Sequence, residues 1–153
     1  MLDGLFVTPA VSAIAEALAS SGIARAASSE VRPAIAVVGN AKLATALAAG
    51  HDVLPVGMSA RAAKKLPRNV PDTAALEAGS LAAVIGVDIA TDDAWADTLR
   101  AWTRVVRDGG AIVFVDRGHA EEASRRALCA GLTELEQRHA GRAVITSGLV
   151  THL

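Results

Sequence analysis

Apolar positions in this chain follow two rhythms, one helical and one of short unbroken runs, and they alternate. Val11, Ile14 and Leu18 recur at helical spacing behind Thr8 and Pro9, an N-cap and first-turn proline, so a first helix is expected at about 8–20, stopped by Ser20-Ser21-Gly22. A polar connector then leads into Ala34-Ile35-Ala36-Val37-Val38, a buried strand. Gly39-Asn40 makes the turn, and Ala41 to Ala49 propagates a helix on alanine's high propensity until Gly50. Asp52 to Val56 is the next strand; Pro55 lacks a ladder donor and puts it at an edge or bulge. Ser59 caps a short helix through Lys65, and two prolines leave Leu66 to Asp72 at most a very short strand.

Leu81-Ala82-Ala83-Val84-Ile85 reads as another buried strand. Thr91-Asp92 caps the clearest amphipathic helix, with Trp95, Leu99, Trp102 and Val106 on one stripe. Asp108-Gly109-Gly110 is expected to turn tightly into Ala111-Ile112-Val113-Phe114-Val115, the central strand. Leu128, Leu132 and Leu135 suit one helical face, but Gly131 would cost about 1 kcal/mol inside a helix, so that helix ends near Ala130. Leu132 to Arg138 and Arg142 to Thr151 then form a hairpin about His139-Ala140-Gly141. Strands alternating with helices and closing in a hairpin specify an α/β sandwich with a mostly parallel sheet.

Composition narrows the function classes. At 153 residues, 52% hydrophobic and 20% charged, residues 1–153 are expected to form a single domain with its own core, which excludes a disordered tail. Fifteen Lys and Arg against sixteen Asp and Glu leave a net charge of −1, with no field to gather nucleic acid or an anionic membrane. The aromatic content of 3%, without Tyr, makes base-stacking platforms an unfavoured reading. The lone Cys129 excludes an internal disulfide and a zinc ribbon, suits a reducing cytoplasm, and is expected to be a buried small hydrophobe. No apolar run reaches the roughly 20 residues of a membrane span, and the N-terminus lacks a signal peptide's basic region.

Three segments, in order, resemble the class I S-adenosylmethionine-dependent methyltransferases. Arg104 to Asp116, with its Asp-Gly-Gly step, is similar to that family's helix, turn and fifth strand; Asp72 to Ile85 resembles its adenine-side loop and fourth strand; Ala130 to Glu136 resembles its sixth strand. The resemblance covers roughly residues 34–153 and implies a Rossmann-like three-layer sandwich. Its cofactor positions depart from the family's pattern. The Gly-rich turn after the first strand corresponds to Gly39-Asn40-Ala41-Lys42-Leu43, with one glycine where side chains fill space the family leaves empty. The acid that takes the ribose hydroxyls after the second strand corresponds to Gly57. A hydrogen bond to a charged group contributes about 1.5–3 kcal/mol, so this loss alone weakens binding roughly 10- to 150-fold. Asp72 keeps the position whose carboxylate meets the adenine amino group.

Carboxyl ends of parallel strands are where such sheets bind ligands, which draws together Gly39, Asn40, Gly57, Asp72, Gly86, Asp88, Asp116 and His119. The resemblance implies Gly39, Asn40, Gly57, Asp72 and Asp88 as the cofactor-side residues. Four residues have an ordinary structural alternative: Asn40 as a helix cap, Asp88 as a loop or cap residue, Lys42 as a solvated cation and His119 as an exposed helix start. Trp95 and Trp102 are expected to pack on the sheet, and His51, His139 and His152 show no metal spacing. The expectation is therefore a methyltransferase-like domain, noncatalytic and serving interaction or assembly, with weak or no binding of S-adenosylmethionine and a homodimer or protein partner. The alternative is an active methyltransferase with an unidentified acceptor.

Overall fold

The runs of β-branched and alanine residues form a sheet covered on both faces, which is why they are continuous rather than alternating. A computed structural model describes residues 10–18, 34–66 and 68–152. Its strands are β1 (Ala34–Val38), β2 (Asp52–Val56), β3 (Leu81–Val87), β4 (Val106–Asp116), β5 (Thr133–Ala140) and β6 (Ala143–Leu149), in the order β2-β1-β3-β4-β6-β5. β2, β1, β3 and β4 are parallel; β6 is antiparallel to both β4 and β5. The helices are α1 (10–18), α2 (Ala41–Leu47), α3 (Ala60–Ala63), α4 (Trp95–Val105) and α5 (Ala120–Cys129).

Successive strand residues feed opposite layers. Ile35, Val37, Ala83, Ile85, Val113 and Val115 meet Ile14 and Leu18 of α1 and Leu43 and Leu47 of α2. On the other face, Ala36, Val84, Ile112 and Phe114 share a core with Leu99 and Trp102 of α4 and Ala123 and Ala127 of α5. Pro55 is accommodated because its carbonyl, which accepts from the Val70 N–H at 2.9 Å, points outward at the sheet's edge, where a missing donor costs no bond to β1. The very short strand expected before Asp72 is this single parallel bridge of Val70 to Val56.

Several expected boundaries move. Asp108-Gly109-Gly110 lies inside β4 as a bulge: Leu81 pairs with Val106, yet Ala83 pairs with Ala111. The C-terminal segment holds the bulge open, since Gly109 donates to the Val150 carbonyl and Val150 to the Gly110 carbonyl, both at 2.8 Å, while the His152 N–H reaches Asp108 Oδ1 at 2.9 Å. Val106 consequently belongs to the strand and not to the helix stripe. α4 starts at Trp95 rather than behind Thr91-Asp92, because residues 89–91 form a tight turn whose Asp92 Oδ1 accepts from Ala94 N at 2.9 Å. α3 ends at Ala63, and the Asn69 side-chain amide closes it by donating to the carbonyls of Ala63 and Leu66. The hairpin loop is Gly141-Arg142 rather than His139-Ala140-Gly141: Gly141 at φ +62 supplies the reversal, and His139 and Ala140 are paired strand residues of β5. Cys129 is exposed, not buried. The ends of the first expected helix beyond 10–18, and the connector after it, lie outside the described residues.

Candidate functional site at the carboxyl edge

Parallel register brings the candidate residues to one edge. Val38 lies beside both Val56 and Gly86, and Val87 beside Val115, so Gly39, Gly57, Asp88 and Asp116 leave the sheet in neighbouring positions. Backbone bonds tie these exits together: Gly39 N–H to the Val56 carbonyl, Gly57 N–H to the Val70 carbonyl and Asp88 N–H to the Val115 carbonyl, each at 2.9 Å. Gly39 and Gly57 hold left-handed backbone at φ +75 and +66, where glycine escapes Cβ strain.

The polar side chains here serve the chain's own backbone. Asn40 caps α2, its Oδ1 accepting from the Leu43 N–H at 2.9 Å. Asp72 is exposed and caps the turn Thr73–Ala75, accepting from Ala74 N at 2.7 Å. Asp88 is exposed and left-handed at φ 58, and His119, also exposed, has φ 58 at the start of α5. Such backbone is uncommon for residues other than glycine and costs on the order of 1–3 kcal/mol each.

Between these two lies Asp116, only 1% exposed. Its Oδ1 accepts from Ala90 N at 2.9 Å, whereas its Oδ2 is buried without a hydrogen-bond partner. Burial pushes its pKa above the ordinary 3.8, and Asp88 adds to the rise; the Ala90 N–H, His119 and Arg126 act against it. Arg126 donates to the carbonyls of Ile89 and Asp92 and, through Nε at 2.7 Å, to Glu122. Arg125 and Arg126 together hold the Glu122 carboxyl down at about 2. Asp116 was legible as an edge residue, but only the structure reveals its orphaned oxygen. Among the described residues, no group of three or more His, Cys, Asp or Glu is placed to hold a metal ion.

Two cavities lie on the flanks. One of about 380 Å³ runs along β2 between Ala48, His51, Pro55 and Arg68, and one of about 200 Å³ is lined by Trp95, Arg100 and Cys129.

No protein-family model and no curated protein matches the chain. Solved structures do. The T. thermophilus 16S rRNA N2 G1207 methyltransferase RsmC, in complex with AdoMet and guanosine, superimposes with a TM-score of 0.59 at 16% identity over 82% of this chain. The fold is that of the class I S-adenosylmethionine-dependent methyltransferases. This chain spans 37% of the RsmC chain's length. A chain from the complex between the Haloferax volcanii Trm112 methyltransferase activator and a candidate methyltransferase gives 0.62 at 14% identity, covering 89% of this chain and 90% of that one. A Thermotoga maritima SAM-dependent methyltransferase gives 0.61 at 14%, covering 88% and 89%. Identities this low establish the methyltransferase fold alone. Among the described residues, no helix is long and apolar enough to cross a membrane.

Proposed function

We propose that this methyltransferase-fold domain is noncatalytic, binds S-adenosylmethionine weakly or not at all, and serves as an interaction or assembly module. The observation that carries the reading is the glycine, Gly57, that follows β2, at the position where the family resemblance implies a carboxylate for the cofactor's ribose hydroxyls. The neighbouring groups do not compensate. Asn40 Oδ1 and Asp72 Oδ1 already accept backbone N–H bonds from their own elements, which fixes both side chains in capping roles, and neither lies at the end of β2 where the carboxylate is missing. On the ribose side the residues present therefore do not fit the cofactor. Calorimetric titration with S-adenosylmethionine and S-adenosylhomocysteine is expected to give no saturable heat below about 1 mM. Micromolar binding that Asp72→Ala abolishes would overturn the reading.

A second reading, an active methyltransferase, is favoured by Asp88 and His119. Both hold strained left-handed backbone beside the buried Asp116, as residues of working sites do. Transfer of a labelled methyl group to an acceptor, lost in Asp88→Ala, would establish it.

A further inference from the structure

Among the described residues β5 ends the sheet, and no described strand lies beside its outer side. The two-residue loop Gly141-Arg142 joins the paired residues Ala140 and Ala143, and such a loop is flanked by a hydrogen-bonded pair. Counting back by twos, Ala140 and Arg138 turn their N–H and C=O groups toward β6, while His139 and Gln137 turn theirs outward. Charged side chains on an edge strand ordinarily prevent pairing. On β5 their order does the opposite in one register.

We propose that a second copy of this chain pairs with β5 edge to edge, antiparallel, about a two-fold axis through Gln137. In that register Gln137 faces its own copy and exchanges both backbone bonds, and Leu135 faces His139. Glu136 of each copy stands opposite Arg138 of the other as a non-hydrogen-bonded pair, where side chains approach most closely. Glu136 and Arg138 lie on the same face of β5 and already meet within the chain at 3.0 Å, so no side chain has to cross the sheet. Neighbouring registers of the same parity fail: centring on Glu136 opposes two glutamates, and centring on Arg138 opposes two arginines.

A separate observation lies above the same edge. Arg126 reaches back to the carbonyls of Ile89 and Asp92, so its flank of α5 faces the α4 side. Leu128 is two residues further, about 200° round the helix, and so lies on the flank toward β5. Its 64% exposure makes it the large apolar side chain that the described surface leaves most in water. A second copy docked on β5 shelters it. The bulge between Thr133 and Glu136, with Glu134 at φ 51, limits the pairing to a short stretch. The result is a two-fold pair of modest strength that extends the sheet across both copies.

The proposal concerns a surface away from the carboxyl edge and stands whether or not that edge binds a cofactor. Sedimentation velocity of the full chain from about 10 µM to about 1 mM is expected to show a monomer–dimer equilibrium. Glu136→Arg and Arg138→Glu each replace two attractive pairs with two repulsive ones and should each weaken self-association about tenfold or more. Mixed in equal amounts, the two variants restore attraction at both positions and should form a heterodimer, a result that also shows both are folded. A wild-type chain that stays monomeric to about 1 mM would overturn the proposal. So would single variants that dimerise like the wild type, or a mixture that does not associate.

Discussion

Gly86 in β3 offers a sharp test of how this sheet is packed. A Cβ built there stands 2.0 Å from Trp102 Cη2, 2.7 Å from Cζ2 and 2.9 Å from Cζ3. Carbon atoms rest about 3.5–4.0 Å apart, so the indole of a Gly86→Ala chain must retreat by about 1.5–2 Å. It has little room: Trp102 is 4% exposed and shares its cluster with Leu99, Val105 and Phe114. Overpacking a filled core costs about 1–3 kcal/mol, and a conflict with a rigid ring places this case near the top, about 3 kcal/mol. At roughly 2–4 °C per kcal/mol for a domain of this size, the melting temperature should fall by about 6–12 °C. Urea unfolding should show a lower midpoint with an unchanged slope, since the surface exposed on unfolding is the same. Trp102→Leu removes the colliding atoms and leaves a void that the new methyl partly fills. The double variant should therefore be more stable than the sum of the two single losses by about 1–3 kcal/mol. A Gly86→Ala chain within about 0.5 kcal/mol of wild type, or strictly additive losses, would refute the packing argument.

Three further changes have directions that follow from the structure. Gly110→Ala places a Cβ 2.6 Å from the Ala82 carbonyl oxygen and 2.5 Å from Val106 Cγ1; backbone cannot yield cheaply, so a loss of about 3 kcal/mol or more in urea titration is expected, with faster exchange of the Val150 amide. Asp116 has a folded-state pKa above its unfolded one, so its ionisation opposes folding: stability from this group is greatest below 3.8 and falls as pH rises through the folded value. Asp116→Asn retains the acceptor for Ala90 N and should be the more stable chain at neutral pH, with the gap closing in acid; equal loss at every pH, read from melting temperatures, would contradict this. Finally, Gly57→Asp supplies a carboxylate at a left-handed position that Asp adopts at a cost of about 1–3 kcal/mol, and under the proposed reading should tighten S-adenosylmethionine binding in calorimetry by about 10- to 150-fold.

The layers were legible because the strongest signals are local. Ala34 to Val38 and Ala111 to Val115 are strands in the sequence and in the structure, since an apolar run bounded by turn residues has few other uses. Asp108-Gly109-Gly110 misleads because glycines serve turns and bulges alike; what decides is the distant chain at Val150 and His152 that bonds to them. Cys129 misleads because its burial depends on the rotation of α5, and that is set by the Arg126 bonds to a loop 34 to 37 residues earlier. At the site, the cap at Asn40 was legible as an alternative to a ligand contact, whereas the cap made by Asp72 and the orphaned Oδ2 of Asp116 emerge only from the folded backbone and its packing.

The devices that hold this fold and those that would hold a cofactor occupy different places. Gly86 against Trp102 lies inside the sheet-to-helix layer, and the Gly109-Gly110 bulge, clasped by Val150 and His152, lies toward the amino-terminal end of β4. Arg104, donating to the carbonyls of Thr73 and Leu76, and Gly79, donating to the Arg104 carbonyl, tie the loop before β3 to the end of α4. None of these contacts involves Gly39, Asn40, Gly57 or Asp88. A substitution at the carboxyl edge therefore leaves these core bonds intact, and a chain can keep this architecture without a carboxylate at the end of β2. Under this separation Gly57→Asp should change cofactor affinity and lower the urea midpoint only by the strain of a left-handed Asp, about 1–3 kcal/mol, and Gly110→Ala should lower the midpoint while cofactor titrations of the remaining folded protein stay as in wild type. A loss in Gly57→Asp well beyond that backbone strain, or a cofactor affinity altered by Gly110→Ala, would show the independence of edge and scaffold to be wrong.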